Sequence, residues 1–502
     1  MAFSFHVEHF GCRAARADGE AVSDQLSAAG LSARPPSEAD VVVVNTCSVT
    51  AEADRAARAF IRRAHRRNPA ARIVVTGCYA QRAPQELADL SGVAAIVGNS
   101  HKALAPQIIL SLLERAEPYA TGKLVQIQAV TDFERASSEQ LAPPQVVWAD
   151  DRFAHSFLEE SQVIPGEQTR PNLKIQEGCG NRCAFCVIPQ TRGPSKSLPG
   201  ASILKQVEGF VAAGGNELVL SGINLGRWGR DLSAPDQQTL AGLVRQIFAQ
   251  TALPRLRLSS IEPMDWDADL IGLMAKFGCT RLARHAHLPL QSGSDAVLRR
   301  MHRRYRPWHY VAKVEALLRA AGPELTLGAD VMAGFPGETD AEFEETVALV
   351  EALPFGYLHL FPFSPRPGTP AWAMHAERPV AAGAVEERMA ALRVLAAKKS
   401  ETHRRCFVGR EMEAITLHAS AAMKARGRTS ALTENFLPVE IMGKLEANRL
   451  VRLRVTGLTA DATLEATVAE AEPVQYGATA ISVNAKSVPL KSSSSPVSLA
   501  SA

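Results

Sequence analysis

The sequence predicts an α/β protein in three successive parts. A parallel α/β domain opens the chain, a partial (β/α)6 barrel of the TIM type follows, and a small OB-like β-barrel lies near the C-terminus. Three observations carry this reading. Short β-branched runs alternate with helical stretches in the first fifth of the chain. Six units of apolar run, polar motif and helical stretch succeed one another between about 171 and 400. From Glu411 onward the pattern becomes short alternating runs with one wet face. At 502 residues the chain is too long for one hydrophobic core. Domains are expected at 1–115, 171–403 and 405–486, with a linker at 116–170 and a disordered Ser-rich tail at 487–502.

Composition sets the outer bounds. Hydrophobic residues make up 46% and charged residues 21%, ordinary values for a soluble globular protein. A formal net charge of +3 is too mild to identify a nucleic-acid binder, so local charge must decide. The stretch Met1 to His6 lacks a basic start and long apolar run, and no segment approaches the ~18 consecutive apolar residues of a membrane span. Eight cysteines are few for a disulfide scaffold in so long a chain; metal or redox use in a reducing cytoplasm fits better.

In the first part, three apolar runs each end on a cysteine. Phe3 to Phe10 leads to Cys12, Val41 to Val44 leads to Cys47, and Ile73 to Val75 leads to Cys78. Ligands of open parallel sheets gather at the carboxyl ends of the strands. Three cysteines there should converge and form a metal site that lacks one ligand. The blander alternative is three separate core cysteines. Between Cys47 and Cys78, Arg55, Arg58, Arg62, Arg63, Arg66 and Arg67 recur at helical steps. They form either a solvated face or a phosphate-contacting one, with Arg62 and Arg66 as candidate RNA contacts. From 116 to 170 regular periodicity fades, and Ala142-Pro143-Pro144 is loop punctuation.

The central part opens on Glu177-Gly178-Cys179-Gly180-Asn181-Arg182-Cys183-Ala184-Phe185-Cys186, a C-x3-C-x2-C loop. Three thiolates suit a [4Fe–4S] cluster but leave one iron without a cysteine. A structural zinc site would want a fourth ligand, and neither His nor Cys lies close by to supply it. Candidate strand ends then carry Ser221 with Gly222, Glu262, Gln291 and Asp330, polar groups able to hold the ribose, amino group or adenine of a cofactor. Each alone is equally a turn former or a helix cap. An open sheet would give the same alternation as a barrel. Arg281, Arg284, Arg299, Arg300, Arg303, Arg304 and Arg306 are dense and little offset by neighbouring acids; a large anionic substrate explains two Arg-rich surfaces better than solubility does, the alternative being a solvated helix face for each. In the last part, barrels of this type often bind single-stranded nucleic acid, and Lys424, Arg426 and Arg428 suit a basic loop, although surface lysines are common; they are the candidate RNA contacts of this part.

The order of these motifs resembles the methylthiotransferase family of radical S-adenosylmethionine (SAM) enzymes along nearly the whole chain. Asn45-Thr46-Cys47, Gly77-Cys78, the Cys179–Cys186 loop with Phe185, Pro289 to Ser294 and Gly334-Phe335-Pro336-Gly337-Glu338 carry the resemblance. It implies two [4Fe–4S] clusters, an auxiliary one on Cys12, Cys47 and Cys78 and a SAM-binding one on Cys179, Cys183 and Cys186. Phe185, Ser221, Gly222, Glu262, Gln291 and Asp330 would lie near SAM, and no catalytic residue is assigned beyond the cluster ligands. The C-terminal barrel would be a TRAM domain that binds RNA. Gly77 to Gln81, Ser259 to Pro263 and Thr433-Glu434-Asn435-Phe436 look most like the branch acting on N6-threonylcarbamoyladenosine in tRNA. Other branches act on isopentenyladenosine in tRNA or on an aspartate of a ribosomal protein, and an iron–sulfur electron carrier is the non-enzymatic alternative.

On this resemblance, one SAM methylates a sulfur on the auxiliary cluster. A second is split to a 5′-deoxyadenosyl radical that activates C2–H of adenosine 37 in the anticodon loop. Unactivated C–H bonds need such cofactor chemistry. A one-electron donor such as flavodoxin or ferredoxin would be required. Two departures stand out: Ala15 where the family often has Asn, and Lys196 and Leu198 where arginines are common, with Arg192 retained. Cys279 and Cys406 have no motif partner and read as structural.

Overall fold

The computed structural model describes residues 3–48, 50–114, 125–126, 146–156, 169–278 and 280–469. Seven strands form the first sheet: β1 (Ser4–His9), β2 (Ser32–Ala33), β3 (Val41–Thr46), β4 (Arg72–Gly77), β5 (Val93–Gly98), β6 (Val125–Gln126) and β7 (Val146–Trp148). Their order is β2-β1-β3-β4-β5-β7-β6, and every pairing is parallel. β3 is buried along its whole length, which is why it reads as an unbroken valine run rather than an alternating one. Val42 and Val44 pack into the core on one face, Val41 and Val43 into the core on the other. Part of the stretch expected as a linker joins this sheet: Ala95 pairs with Val146 and Val97 with Trp148. Three residues are too short a run to stand out behind Pro143-Pro144, and pairing along β5 supplies the order that local sequence does not.

Helix α1 (Arg13–Ala28) follows β1, α2 (Ala51–Arg67) follows β3, and α3 (Cys78–Arg82) follows β4. α2 is a well-specified helix. The Thr50 hydroxyl accepts from Ala53 N, Glu52 and Asp54 occupy the first turn, and His65, Arg66 and Arg67 occupy the last. Those charges complement the helix dipole, so part of the arginine run has a purely structural reason.

The central part contains β8 (Asn172–Glu177), β9 (Lys196–Ser197), β10 (Glu217–Gly222), β11 (Arg255–Leu258), β12 (His285–His287), β13 (Thr326–Ala333) and β14 (Phe355–Pro362). Each of the six expected strands is present. They run parallel as β8-β10-β11 and β12-β13-β14, joined by a bridge between Leu256 and Leu282, and β9 adds antiparallel to β8. One apolar core fills the interior and the helix layer, with Trp228, Trp266 and Phe210 fully buried.

The helix Ala382–Arg405 leads to the last part. There β15 (Glu411–Thr416), β16 (Arg428–Thr433), β17 (Pro438–Met442), β18 (Leu450–Leu458) and β19 (Leu464–Val468) close into a barrel, in the order β15-β16-β17-β19-β18. The turn Thr433–Phe436 docks this barrel on the N-terminal end of the central strands. Arg257 reaches Thr433 O at 3.2 Å and stacks over the Phe436 ring at 5.3 Å. The Phe436 ring lies against His285 and Tyr357, Arg284 pairs with Glu434 at 2.5 Å, and Asn435 donates to Glu324 O at 2.9 Å. Residues from 470 onward, including the tail expected at 487–502, lie outside the described residues.

Candidate metal centres at the strand ends

Cys12, Cys47 and Cys78 follow β1, β3 and β4, which are adjacent in the sheet. Neighbouring strands lie ~4.8 Å apart, so three residues distant in sequence meet at one sheet end. Two glycines make the approach possible. Gly11 has φ +117°, and a Cβ there would stand 2.7 Å from Cys47 Sγ; at Gly77, with φ +99°, a Cβ would stand 2.2 Å from Thr46 O. Cys12 is pulled down to about 5 chiefly by its hydrogen bond with the Cys47 thiol, with the Arg192 charge assisting. Asn99, at the end of the neighbouring β5, donates to Cys78 Sγ at 3.3 Å and to Thr191 O at 2.8 Å. Arg192 Nε donates to Cys78 Sγ at 3.3 Å. Ala15 offers its carbonyl oxygen to Asn45 Nδ2.

The second triad belongs to one loop after β8. Asn181 N donates to Cys179 Sγ at 3.4 Å and Asn224 Nδ2 at 3.6 Å. Arg303 donates to Cys183 Sγ at 3.3 Å and pairs with Glu262 at 2.6 Å. Ala184 is clamped by backbone bonds, donating to Met301 O and accepting from Ala371 N. Burial pushes Cys186 up to about 12 and raises Cys179. Such sulfurs ionise readily only beside a cation, which a bound metal supplies.

Both triads fit an iron–sulfur group. Each offers three sulfurs, and each carries buried polar atoms with no partner on residues that touch a cysteine: Arg192 Nη2 and Asn99 Oδ1 beside Cys78, and Asn224 Oδ1 beside Cys179. Buried groups of this kind are costly unless something meets them.

The other expected contacts divide. Glu262 joins the second triad through Arg303. Gln291 sits at φ +65° with Oε1 buried and unpartnered. Gly222 packs on Gln176, Ser221 turns its hydroxyl toward Leu173 O, and Phe185 packs on the barrel core. Asp330 is already engaged: His287 and His359 lie at 3.2 and 3.3 Å from its Oδ1 and, against burial, hold the carboxyl far below its usual range. Asn224 and Arg303 had weak sequence signals, the first inside the Ser221-Gly222-Ile223-Asn224 motif and the second inside an arginine run.

The basic surfaces also divide. Arg62 and Arg66 are exposed on α2. Lys424 and Arg426 are exposed on the last barrel, whereas Arg428 is neutralised by Glu440 and Glu465 at 2.9 and 2.6 Å. The dense arginines from Arg281 to Arg306 do not form a free anionic-substrate surface. Arg281 donates to the carbonyls of Leu253, Phe248 and Thr251, and Arg284, Arg300, Arg303, Arg304 and Arg306 pair with acids. Most of those acids are distant in sequence, so the charge looks unbalanced along the chain but not in space. Cys406 is exposed and donates to Thr402 O, while Cys279 lies outside the described residues. Among the described residues no helix is long and apolar enough to cross a membrane.

Residues 4–98 match the model described as uncharacterized protein family UPF0004, and residues 173–350 match the radical SAM superfamily. The threonylcarbamoyladenosine tRNA methylthiotransferase MtaB of Aquifex aeolicus is 32% identical over 450 residues, covering 89% of this chain and 99% of that protein. Its Bacillus subtilis counterpart is 32% identical, covering 90% and 93%. A tRNA-2-methylthio-N(6)-dimethylallyladenosine synthase from Parafrankia is 33% identical, covering 90% and 84%. Among solved structures, the radical SAM methyltransferase TsrM from Kitasatospora setae shares the fold at a TM-score of 0.50, with 14% identity and coverage of 75% and 76%. By near full-length similarity to its relatives, the chain belongs to the methylthiotransferase family of radical SAM enzymes.

Proposed function

We propose that this protein adds a methylthio group to C2 of N6-threonylcarbamoyladenosine at position 37 of tRNA. The observation that carries the reading is the pairing of two separate three-cysteine sites on a chain whose near full-length relatives include proteins named threonylcarbamoyladenosine tRNA methylthiotransferase. Radical SAM membership brings a [4Fe–4S] cluster and SAM as cofactors. In our reading Cys179, Cys183 and Cys186 hold that cluster, and Cys12, Cys47 and Cys78 hold a second.

Loaded in this way, the two sites would supply reductive cleavage of SAM at one and a sulfur to be methylated at the other. The chain's own part is to hold and shield. Arg303 and Asn224 donate to the thiolates of the second triad, and Glu262 fixes Arg303. Arg192 and Asn99 do the same for Cys78. Gln291 and Glu262 are proposed SAM contacts, with Ser221, Gly222 and Phe185 shaping the floor. Asp330 would act together with His287 and His359 rather than alone. Arg62, Arg66, Lys424 and Arg426 would contact the RNA backbone, and the target base must be splayed from its stack to enter.

The test is nucleoside mass spectrometry on purified tRNAs carrying threonylcarbamoyl- or isopentenyladenosine, after incubation with reconstituted protein, SAM and a reductant. The expected product is 2-methylthio-N6-threonylcarbamoyladenosine alone. Modification of the isopentenyl substrate alone would overturn the reading.

A further inference from the structure

The last three strands of the partial barrel carry a ligand set without sulfur. β12, β13 and β14 pair in parallel, with His287 and Tyr357 opposite Gly328 and with His359 opposite Asp330. Residues opposite one another share a face of the sheet, as do residues two apart on one strand. His287, Asp330, Tyr357 and His359 therefore project from the same side. The other side, with Ala286, Leu327, Ala329 and Val331, belongs to the apolar core. A Cβ at Gly328 would run into the Tyr357 ring, so this glycine lets the ring cross β13. The Tyr357 hydroxyl thereby lies 2.7 Å from His285 Nε2 and 3.0 Å from His287 Nδ1.

Three ligand atoms converge on that face. Asp330 Oδ1 lies 3.2 Å from His287 Nε2 and 3.3 Å from His359 Nδ1. The three atoms all lie within 4.8 Å of one another. Two features favour a shared cation over hydrogen bonding alone. Ligand atoms about 2.05 Å from a tetrahedral zinc stand about 3.3 Å apart, which is the spacing around Asp330. Charge-assisted bonds from nitrogen to a carboxylate are shorter, about 2.7–2.9 Å. The other feature is the support of His287. Metal-bound histidines have their second ring nitrogen held by a neighbour, which fixes the tautomer. With His287 Nδ1 donating to the Tyr357 oxygen, Nε2 keeps its lone pair and faces Asp330. His287 is buried, whereas the His359 side chain is 63% exposed, so the set is anchored on one side and reachable from the other.

We propose that His287 Nε2, Asp330 Oδ1 and His359 Nδ1 form a site for a divalent first-row transition-metal cation of the zinc type, with Tyr357 as the positioning residue for His287. Two imidazoles and one carboxylate leave a fourth position open to water or to an oxygen donor of a bound molecule. The site is separate from both cysteine triads, since its three strands carry neither of them. It does not depend on which nucleoside is the substrate.

The experiment uses the full chain with its iron–sulfur groups reconstituted, incubated with zinc sulfate and freed of loose metal by gel filtration. Zinc and iron are counted per chain, and zinc K-edge X-ray absorption reads the ligands of zinc alone. About one zinc per chain is expected, with a shell of imidazole nitrogen and carboxylate oxygen at about 2.0–2.2 Å. His359→Gln and Asp330→Asn should each weaken zinc binding by more than about a hundredfold, beyond the range of an outer-shell change, with iron content unchanged. Tyr357→Phe should weaken it by roughly 10–100-fold while keeping the same zinc shell. A zinc shell of sulfur at about 2.3 Å, or no retained zinc, would overturn the proposal. So would zinc affinity unmoved by His359→Gln and Asp330→Asn, which would leave hydrogen bonding as the whole of the cluster. Unmoved affinity in Tyr357→Phe would overturn the positioning role. The parent's spectrum decides without any variant, so a variant that fails to fold does not shield the proposal.

Discussion

The two cysteine triads are built in opposite ways. Cys179, Cys183 and Cys186 fall within one loop, so their meeting is decided locally. Cys12, Cys47 and Cys78 span much of the first sheet and meet only because β1, β3 and β4 are neighbours in it. The local triad survives in any state that keeps its loop. The assembled triad exists only when the sheet is formed, and it should be the more fragile of the two.

The sharpest way to break the comparison is to remove one member of each. Cys183→Ala should abolish 5′-deoxyadenosine formation and methylthiolation together, a loss of at least about a thousandfold if the cluster is not held. Cys47→Ala should leave reductive SAM cleavage measurable while abolishing sulfur insertion. Product analysis by liquid chromatography of the same anaerobic reactions checks both. Equal loss of 5′-deoxyadenosine in the two variants would erase the proposed division of labour.

A milder break is Gly11→Ala. The added Cβ would run into Cys47 and demand an unfavourable φ, so the assembled triad should lose metal while the loop triad keeps it. Iron content should fall by roughly half relative to the parent, as expected when one of two four-iron groups is lost. Phe436→Ala acts on neither triad. It empties the aromatic contact with His285 and Tyr357, and should weaken docking of the C-terminal barrel by roughly 2 kcal/mol while leaving iron content unchanged. Denaturant titration with iron analysis reads both.

A further break concerns pH and touches neither triad. His403 hydrogen-bonds Thr326 at 2.8 Å, and burial, with Arg404 nearby, pulls it down to about 4. The unfolded chain therefore takes up this proton first as pH falls. Stability contributed here is complete above the ordinary histidine value and declines between about 6.5 and about 4. His403→Gln should flatten that decline in a thermal-unfolding series, with both triads unaffected.

Legibility followed the same local–assembled division. The loop triad could be read from spacing alone. The assembled triad needed one topological step, that strand ends of a parallel sheet gather ligands, and the valine run of β3 made that step available. What lay beyond reach was pairing across long sequence distances. Asp18 and Lys102 carry no motif, and nothing local says that Lys102 pairs with Glu177, or Asp18 with Lys174 and Arg192, more than seventy residues away. The run Arg281 to Arg306 looked free because partners such as Glu342 and Glu434 are far along the chain. Arg428 misled for the same reason. Thr433-Glu434-Asn435-Phe436 was visible as a family-like motif, but its work as the contact between barrel and core needs the folded pair. β7 was missed because a three-residue strand gains its order from β5 rather than from its own sequence.

Whether two distinct metal centres exist at all is decided most directly by Mössbauer spectroscopy with iron counting on the anaerobically reconstituted, ⁵⁷Fe-enriched chain. The parent should hold about eight irons as two cubane groups, and each triple-alanine variant, of Cys12, Cys47 and Cys78 or of Cys179, Cys183 and Cys186, about four. A parent that holds about four irons, or a variant of the first triad that keeps the full complement, would contradict it.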